Sequence, residues 1–250
     1  MNSPDSSIAT SLDRNSFVPL YHQLYESLRH SIDSGQWRPG DQLPTEAELA
    51  AMYEISQITI RKALNMLVDA GAIYRHKGKG TFVAQPPITS DLGQMISFEE
   101  DMRRRGLKYR TEVLETITAP VSTGTARLLQ IEVGEELACI GRLYIVDDEP
   151  LCIERSYLAH RICTGILERD LASIPLTEIL TRDYGLLPGR ADHTVRARQA
   201  GAEHAKLFKI TPEDALLFIE RVVYSHRNVP FMFSRVFYRG DRYALHLSSS

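Results

Sequence analysis

Glycine and proline cut the first 85 residues into pieces so short that only a small domain of three helices and one hairpin accommodates them. Leu20, Leu24, Leu28 and Ile32 recur every four residues, one apolar stripe of a helix that Gly35 and the turn Arg38-Pro39-Gly40-Asp41 bring to an end. Thr45 is an N-cap residue and Glu48 completes a capping box, which opens a second helix that stops near Tyr53. Ser56 caps a third helix, with Ile60, Ala63, Leu64 and Leu67 on its inner face and Gly71 as its stop. Ala72 to Ala84 then reads as two short strands about the turn Lys77-Gly78-Lys79-Gly80. Gln85-Pro86-Pro87 breaks the pattern and marks a short stiff linker, expected over residues 86–94. Ahead of the first helix, residues 1–16 are polar and expected to be disordered.

From about residue 95 the chain mixes helix and strand. Ser97 to Gly106, Leu176 to Tyr184 and Ala202 to Phe208 read as helices. Ala138 to Val146 alternates, turns at Asp147-Asp148-Glu149-Pro150 and alternates again to Leu158; Leu216 to Tyr224 and Phe231 to Tyr238 form a second hairpin about His226-Arg227-Asn228. Arg142, Pro150 and Arg155 of the first hairpin match Arg221, Pro230 and Arg235 of the second, with one extra residue in the second turn. This is either an internal duplication or two ordinary hairpins with proline after the turn. The expected fold class is α+β, with an antiparallel sheet in this part. At 250 residues and 43% hydrophobic content, the chain can bury one core in residues 17–85 and another in 95–247. No apolar run approaches the roughly 20 residues of a membrane span, and the first 16 residues lack the apolar core of a signal peptide. Cys139, Cys152 and Cys163 are odd in number and have no CxxC spacing, which speaks against a disulfide framework or a Cys-rich zinc site and for a reducing cytoplasm.

Net charge is −3, so no global basic field points to a polyanion. The local distribution does. Residues 56–80 hold Arg61, Lys62, Arg75, Lys77 and Lys79 against Asp69 as their one acidic residue. A short capped helix, a turn and a second capped helix is helix-turn-helix spacing, and the basic groups fall on the second helix and the hairpin tip, where phosphates would be met. With the apolar face inward, Gln57, Ile58, Arg61 and Asn65 share the outer face of the third helix. Gln57 and Arg61 lie in its first turns and suit adenine and guanine edges respectively. Gly78 and Gly80 allow a close backbone approach to DNA, with Lys77 and Lys79 as phosphate or minor-groove contacts.

Pro19-Leu20-Tyr21, Arg38-Pro39-Gly40-Asp41, Leu43-Pro44-Thr45-Glu46, Thr59-Ile60-Arg61, Ala63-Leu64, Gly71 and Gly78-Lys79-Gly80-Thr81-Phe82-Val83 resemble the winged-helix signature of GntR-family transcription regulators, unbroken from about Phe17 to Ala84. The resemblance implies that Arg38, Thr45, Glu46, Ser56 and Thr59 join Gln57, Arg61 and the hairpin tip in binding DNA. Gln57 stands where the family usually has arginine. Glu149-Pro150, Glu154-Arg155-Ser156-Tyr157-Leu158, Tyr184-Gly185, Pro230 and Tyr238-Arg239-Gly240-Asp241-Arg242-Tyr243 resemble the UTRA effector domain of the HutC-type branch, whose fold is chorismate-lyase-like. Together the two resemblances imply a homodimeric, metabolite-responsive regulator that reads a palindromic double-stranded operator, needs no cofactor or metal, and is expected to repress.

Some sugar-phosphate responders of this branch carry a second arginine where Tyr144 stands, serine and tyrosine where Pro175 and Thr177 stand, and Pro-Val-Glu where this chain has Pro230-Phe231-Met232. These differences point away from a sugar phosphate. Arg142, Glu154 and Ser156, with Tyr144, Met232 and Phe233, offer one cation in an apolar and aromatic setting, which suits a small organic acid. The alternative is that Arg142 and Glu154 are a cross-strand ion pair. An enzyme is the rival class. The chain has no GxSxG, P-loop, HExxH or Rossmann fingerprint, and His193 and His204 stand apart from any metal-ligand spacing.

Overall fold

In a computed structural model that describes residues 12–76, 78–85, 87–91 and 97–247, the chain divides into two compact units, 1–86 and 87–250. The first unit contains α1 (Leu20–Asp33), α2 (Glu46–Tyr53), α3 (Gln57–Asp69) and an antiparallel hairpin of β1 (Ile73–His76) and β2 (Gly80–Val83). Leu24 and Leu28 of α1 pack with Ile60, Ala63, Leu64 and Leu67 of α3, all buried, and Trp37, Leu43, Leu49 and Ile73 close the core. The capping box forms: Glu48 N–H donates to Thr45 Oγ1 at 3.3 Å and Thr45 N–H donates to Glu48 Oε2 at 2.7 Å. Ser56 Oγ accepts from Thr59 N–H at 3.2 Å and starts α3.

Part of the segment expected to be disordered is tied down. Asp13 N–H donates to Gln23 Oε1 and Gln23 Nε2 donates back to Asp13 O, each at 2.9 Å, while Leu12 packs on the core. Residues 1–11 of that segment lie outside the described residues. The expected linker also differs. Ile88–Asp91 form β3, paired in parallel with β10 (Tyr243–His246). A four-residue strand that pairs with the far end of the chain leaves no local pattern to read.

The second unit is built on a six-stranded antiparallel sheet in the order β4-β5-β6-β9-β8-β7. The strands are β4 (Tyr109–Pro120), β5 (Glu136–Val146), β6 (Glu149–Ala159), β7 (Pro188–Gln199), β8 (Ala215–Ser225) and β9 (Pro230–Arg239). Its helices are α4 (Phe98–Arg104), α5 (Thr123–Leu129), α6 (Leu176–Tyr184) and α7 (Gly201–Phe208). Asp147 and Asp148, at φ 49° and 65°, make the two-residue turn between β5 and β6, so the acidic turn is explained by hairpin geometry.

The two matching hairpins belong to a structural repeat. β4-α5-β5-β6 and β7-α7-β8-β9 repeat the same order, and details recur at matching places. Val121 N–H donates to Glu135 O as Ala200 N–H does to Asp214 O, and Ile131 N–H donates to Ala126 O as Ile210 N–H does to Ala205 O. Arg155 faces its counterpart Arg235 across the central β6–β9 pair, as a local two-fold axis through that pair requires. The helices cross that axis. α5 packs on β9, with Val121, Ala126 and Leu129 against Val222 and Phe233; α7 packs on β6, with Ala205 and Phe208 against Ile153 and Phe237. Both helices cover one face of the sheet. α6 covers the other face, where Leu176, Ile179 and Leu180 meet Ala138, Ile140, Leu158 and Met232.

Gln130 and Lys209 end the two repeat helices in the left-handed region, at φ 54° and 57°, each donating its N–H to the helix. Side chains beyond glycine are strained there by about 1–2 kcal/mol. Gln130→Gly and Lys209→Gly are each expected to stabilise the second unit by about 0.5–1 kcal/mol, after glycine's greater unfolded-state entropy is subtracted. Urea denaturation followed by circular dichroism measures this, while fluorescence of Trp37, the single tryptophan, reports the first unit and should not move.

Candidate functional site

Two surfaces gather the residues singled out by sequence. On the first unit, Gln57, Arg61 and Asn65 are exposed along one side of α3, and Ile58 beside them is 80% exposed. An isoleucine so bare on the first turn of a capped helix was legible on the helical wheel but carries no charge to draw attention. Arg61 reaches back to α2, where Nη2 and Nε donate to Glu46 Oε2 at 2.9 and 3.1 Å, and Arg75 of the hairpin donates to Glu46 Oε1 at 3.5 Å. Glu46 thus gathers an arginine from α3 and one from β1 on one side of the unit. Thr45, Ser56 and Thr59 spend their hydroxyls on the helix starts. Arg38 is exposed, and its N–H donates to Asp41 Oδ2 at 2.7 Å. Lys79 is exposed at the hairpin tip; Lys77 lies outside the described residues. Gly78 turns the tip at φ 76°. Gly80 has a structural reason of its own: at φ 132°, a Cβ there would sit 2.5 Å from Gln42 Nε2, which donates to Lys79 O at 2.9 Å.

On the second unit, the sheet face opposite α5 and α7 holds a cavity between α4, α6 and the strands. Period-two alternation carries Arg142 and Tyr144 of β5, Cys152 and Glu154 of β6, Arg221 of β8 and Met232 and Tyr238 of β9 to its wall. Arg142 Nη2 donates to Glu154 Oε2 at 2.7 Å and Nη1 to Glu99 Oε1 at 3.0 Å. Arg221 Nη2 donates to the other Glu154 oxygen at 2.5 Å. The Tyr144 hydroxyl lies 3.1 Å from Glu99 Oε1 and 3.0 Å from Glu154 Oε2, with one hydrogen to give. Arg142, Glu99 and Glu154 are all buried.

The cross-strand pair of Arg142 and Glu154 therefore exists, inside a larger cluster. Burial by itself raises the Glu154 pKa, but the guanidiniums of Arg221 and Arg142 outweigh it and hold the carboxyl below its ordinary value. Burial and the Glu154 charge push the Cys152 thiol well up, so it stays a neutral wall residue. Ser156 is fully buried against Ser234, 3.2 Å away, and does not line the cavity. Phe233 is a correction: one residue out of step with Met232, it faces the other side of the sheet and stacks on Tyr157. Arg221 had a signal in the sequence, its match to Arg142 in the repeated hairpin. Glu99 had none.

His193 of β7 also lines the cavity, half-buried, with Nδ1 buried and unpartnered among the described residues. Burial, and secondly Arg221, lower its pKa, against a smaller opposing pull from Asp192. A histidine held neutral in the fold contributes stability that is complete above its ordinary pKa of 6.5 and is lost as pH falls below it. His193→Asn is expected to flatten the fall in second-unit stability on acidification from pH 6.5, leaving the part due to His204, also lowered by burial. Urea midpoints measured across that range check it.

Residues 20–83 match the bacterial regulatory protein gntR family and residues 104–244 match the UTRA domain. The HTH-type transcriptional repressor NagR of Bacillus subtilis is 30% identical over 233 residues, 93% of this chain and 95% of that protein. The histidine utilization repressor of Klebsiella aerogenes is 30% identical over 232 residues, again 93% and 95%. The crystal structure of PhnF from Mycobacterium smegmatis superposes with a TM-score of 0.65 at 26% identity, over 90% of this chain and 98% of that one. The chain belongs to the GntR family of bacterial transcription regulators, in the HutC-type branch that joins a winged helix-turn-helix to a UTRA domain.

Proposed function

We propose that this regulator is a cytoplasmic homodimeric repressor that reads a palindromic operator with one α3 per half-site and releases it when a small organic acid binds the cavity of the second unit. The observation that carries the DNA reading is the exposed row Gln57, Ile58, Arg61 and Asn65 on a capped helix, flanked by Arg75 and Lys79 of the hairpin. Arg61 leaves Glu46 for a guanine edge, Gln57 takes an adenine, and Ile58 meets a thymine methyl. Thr45, Ser56 and Thr59 act by setting the helix starts, whose free N–H groups face phosphate, with Arg38 and the Gly78–Gly80 tip along the backbone. Relatives named as repressors support the sign of regulation.

The buried cluster around Arg142 supports the effector reading, because a guanidinium placed at a cavity wall among aromatic side chains suits a carboxylate. The apolar Met232 in the wall favours an organic acid over a sugar phosphate.

Arg61→Ala should weaken binding to the natural operator by about 1–3 kcal/mol, and Lys79→Ala should weaken binding to all sequences alike and flatten the salt dependence by about one unit of slope. Titrations at several salt concentrations distinguish the two patterns. In the cavity, Arg142→Ala would strand the buried Glu99 carboxylate and leave Glu154 to Arg221 alone, so Arg142→Lys, which keeps the charge and loses the planar fork, is the informative variant. It should leave operator affinity intact and weaken relief of DNA binding by the effector that a metabolite screen identifies. Unchanged relief would remove Arg142 from the effector site.

A further inference from the structure

Four of the five groups in the buried cluster come from the sheet: Arg142, Tyr144, Glu154 and Arg221. Glu99 alone comes from α4, which precedes the sheet in the chain and lies next in sequence to the segment leading from the first unit. Phe98 beside it rests on the Tyr144 ring, with centroids 4.5 Å apart. The charges of the cluster balance only with Glu99 in place. Arg142 and Arg221 face Glu154 and Glu99, and without Glu99 the sheet residues would keep one uncompensated positive charge in the interior. Asp101, another carboxylate of the cavity, is engaged elsewhere, by Arg105 Nε at 2.7 Å and by the Ser90 hydroxyl.

Glu99 also fits imperfectly. The Tyr144 hydroxyl has one hydrogen for two carboxylate oxygens, so either Glu99 or Glu154 faces it without a hydrogen bond. Both Glu154 oxygens accept from an arginine, whereas Glu99 has one oxygen on Arg142. Arg142 Nε and Arg221 Nε stay buried with no acceptor among the described residues. A free carboxylate, not tethered to a helix, has the freedom to choose its donors.

We propose that Glu99 is a built-in stand-in for the effector, and that the cavity's ligand class is a compact monocarboxylate that takes the place of the Glu99 carboxylate on Arg142 and Tyr144. The exchange is one negative charge for one, so the buried arginines are neutralised before and after. A phosphate ester brings a second charge that nothing in the cluster matches, and a cation finds both carboxylates already held by arginine. Eviction of Glu99 removes the polar hold of α4 on β5, so ligand entry is felt at the first helix of the second unit.

This inference rests on reading the cavity as the effector site, but its test involves no DNA. Glu99→Ala retains Cβ and deletes the four atoms that acetate restores. Thermal unfolding of the full-length variant and wild type is followed in sodium acetate, sodium chloride, sodium phosphate and methylammonium chloride at matched ionic strength and neutral pH. Acetate should raise the melting temperature of Glu99→Ala saturably beyond chloride, phosphate and methylammonium should not, and wild type, in which Glu99 competes for the same place, should answer to acetate far more weakly. A Glu99→Ala protein that treats acetate as it treats chloride overturns the proposal, as does an equal acetate response in wild type or an equal response to phosphate. If the variant does not fold in dilute buffer, its refolding yield in acetate against chloride replaces the melting temperature, and equal yields count against the proposal. Such a failure removes Glu99 as a stand-in and leaves the effector reading to the Arg142→Lys experiment.

Discussion

A guanidinium in a protein interior is tolerated only where carboxylates meet it with good geometry, and the second unit is organised around that requirement. Arg142 is inside, Glu154 opposes it on the next strand, and Arg221 holds the other oxygen of the same carboxylate from two strands away. Each group is placed by strand alternation and register, so a slip of one residue would turn an arginine into the apolar layer under α5 and α7. The cluster therefore acts on the fold as well as on a ligand. It specifies register across β5, β6 and β8, and it places paired charges in a cavity wall that also carries Leu176, Ile219 and Met232.

The first unit shows a milder form of the same physics. Glu46 collects Arg61 and Arg75 at the surface, where an exposed pair contributes little to stability. Its effect is to hold two long side chains on one side of the unit without burying them. Arginines so lightly held are available to phosphates and base edges at small cost.

The legible part of this chain was what leaves a local trace. Helix stripes, caps and stops placed α1, α2 and α3, and both central hairpins followed from alternation and turn residues. The outer strands β4 and β7 were missed because most of their residues are exposed, so neither face shows an apolar period. The β3–β10 pair was missed because its partners lie at opposite ends of the unit. In the cavity, Arg142, Tyr144, Glu154 and Met232 were found from the hairpin pattern. Phe233 was misplaced by a single step of the same alternation, and Glu99 was invisible because tertiary packing alone brings α4 to the sheet.

The crossing of α5 and α7 over the local two-fold axis has a consequence for how such a unit can come apart. Each repeat sends its helix across to a strand of the other as well as over its own, so neither half alone holds the whole cover for its apolar face. A chain severed between α6 and β7 would yield two fragments, each with a sheet only partly roofed, whose stable arrangement is to find one another again. In this respect the unit resembles an obligate dimer whose subunits have been spliced end to end. The two repeats nonetheless differ at the cluster: one carries Tyr144 and Glu154 beside its arginine, and the other Val223 and Ser234 in the corresponding places.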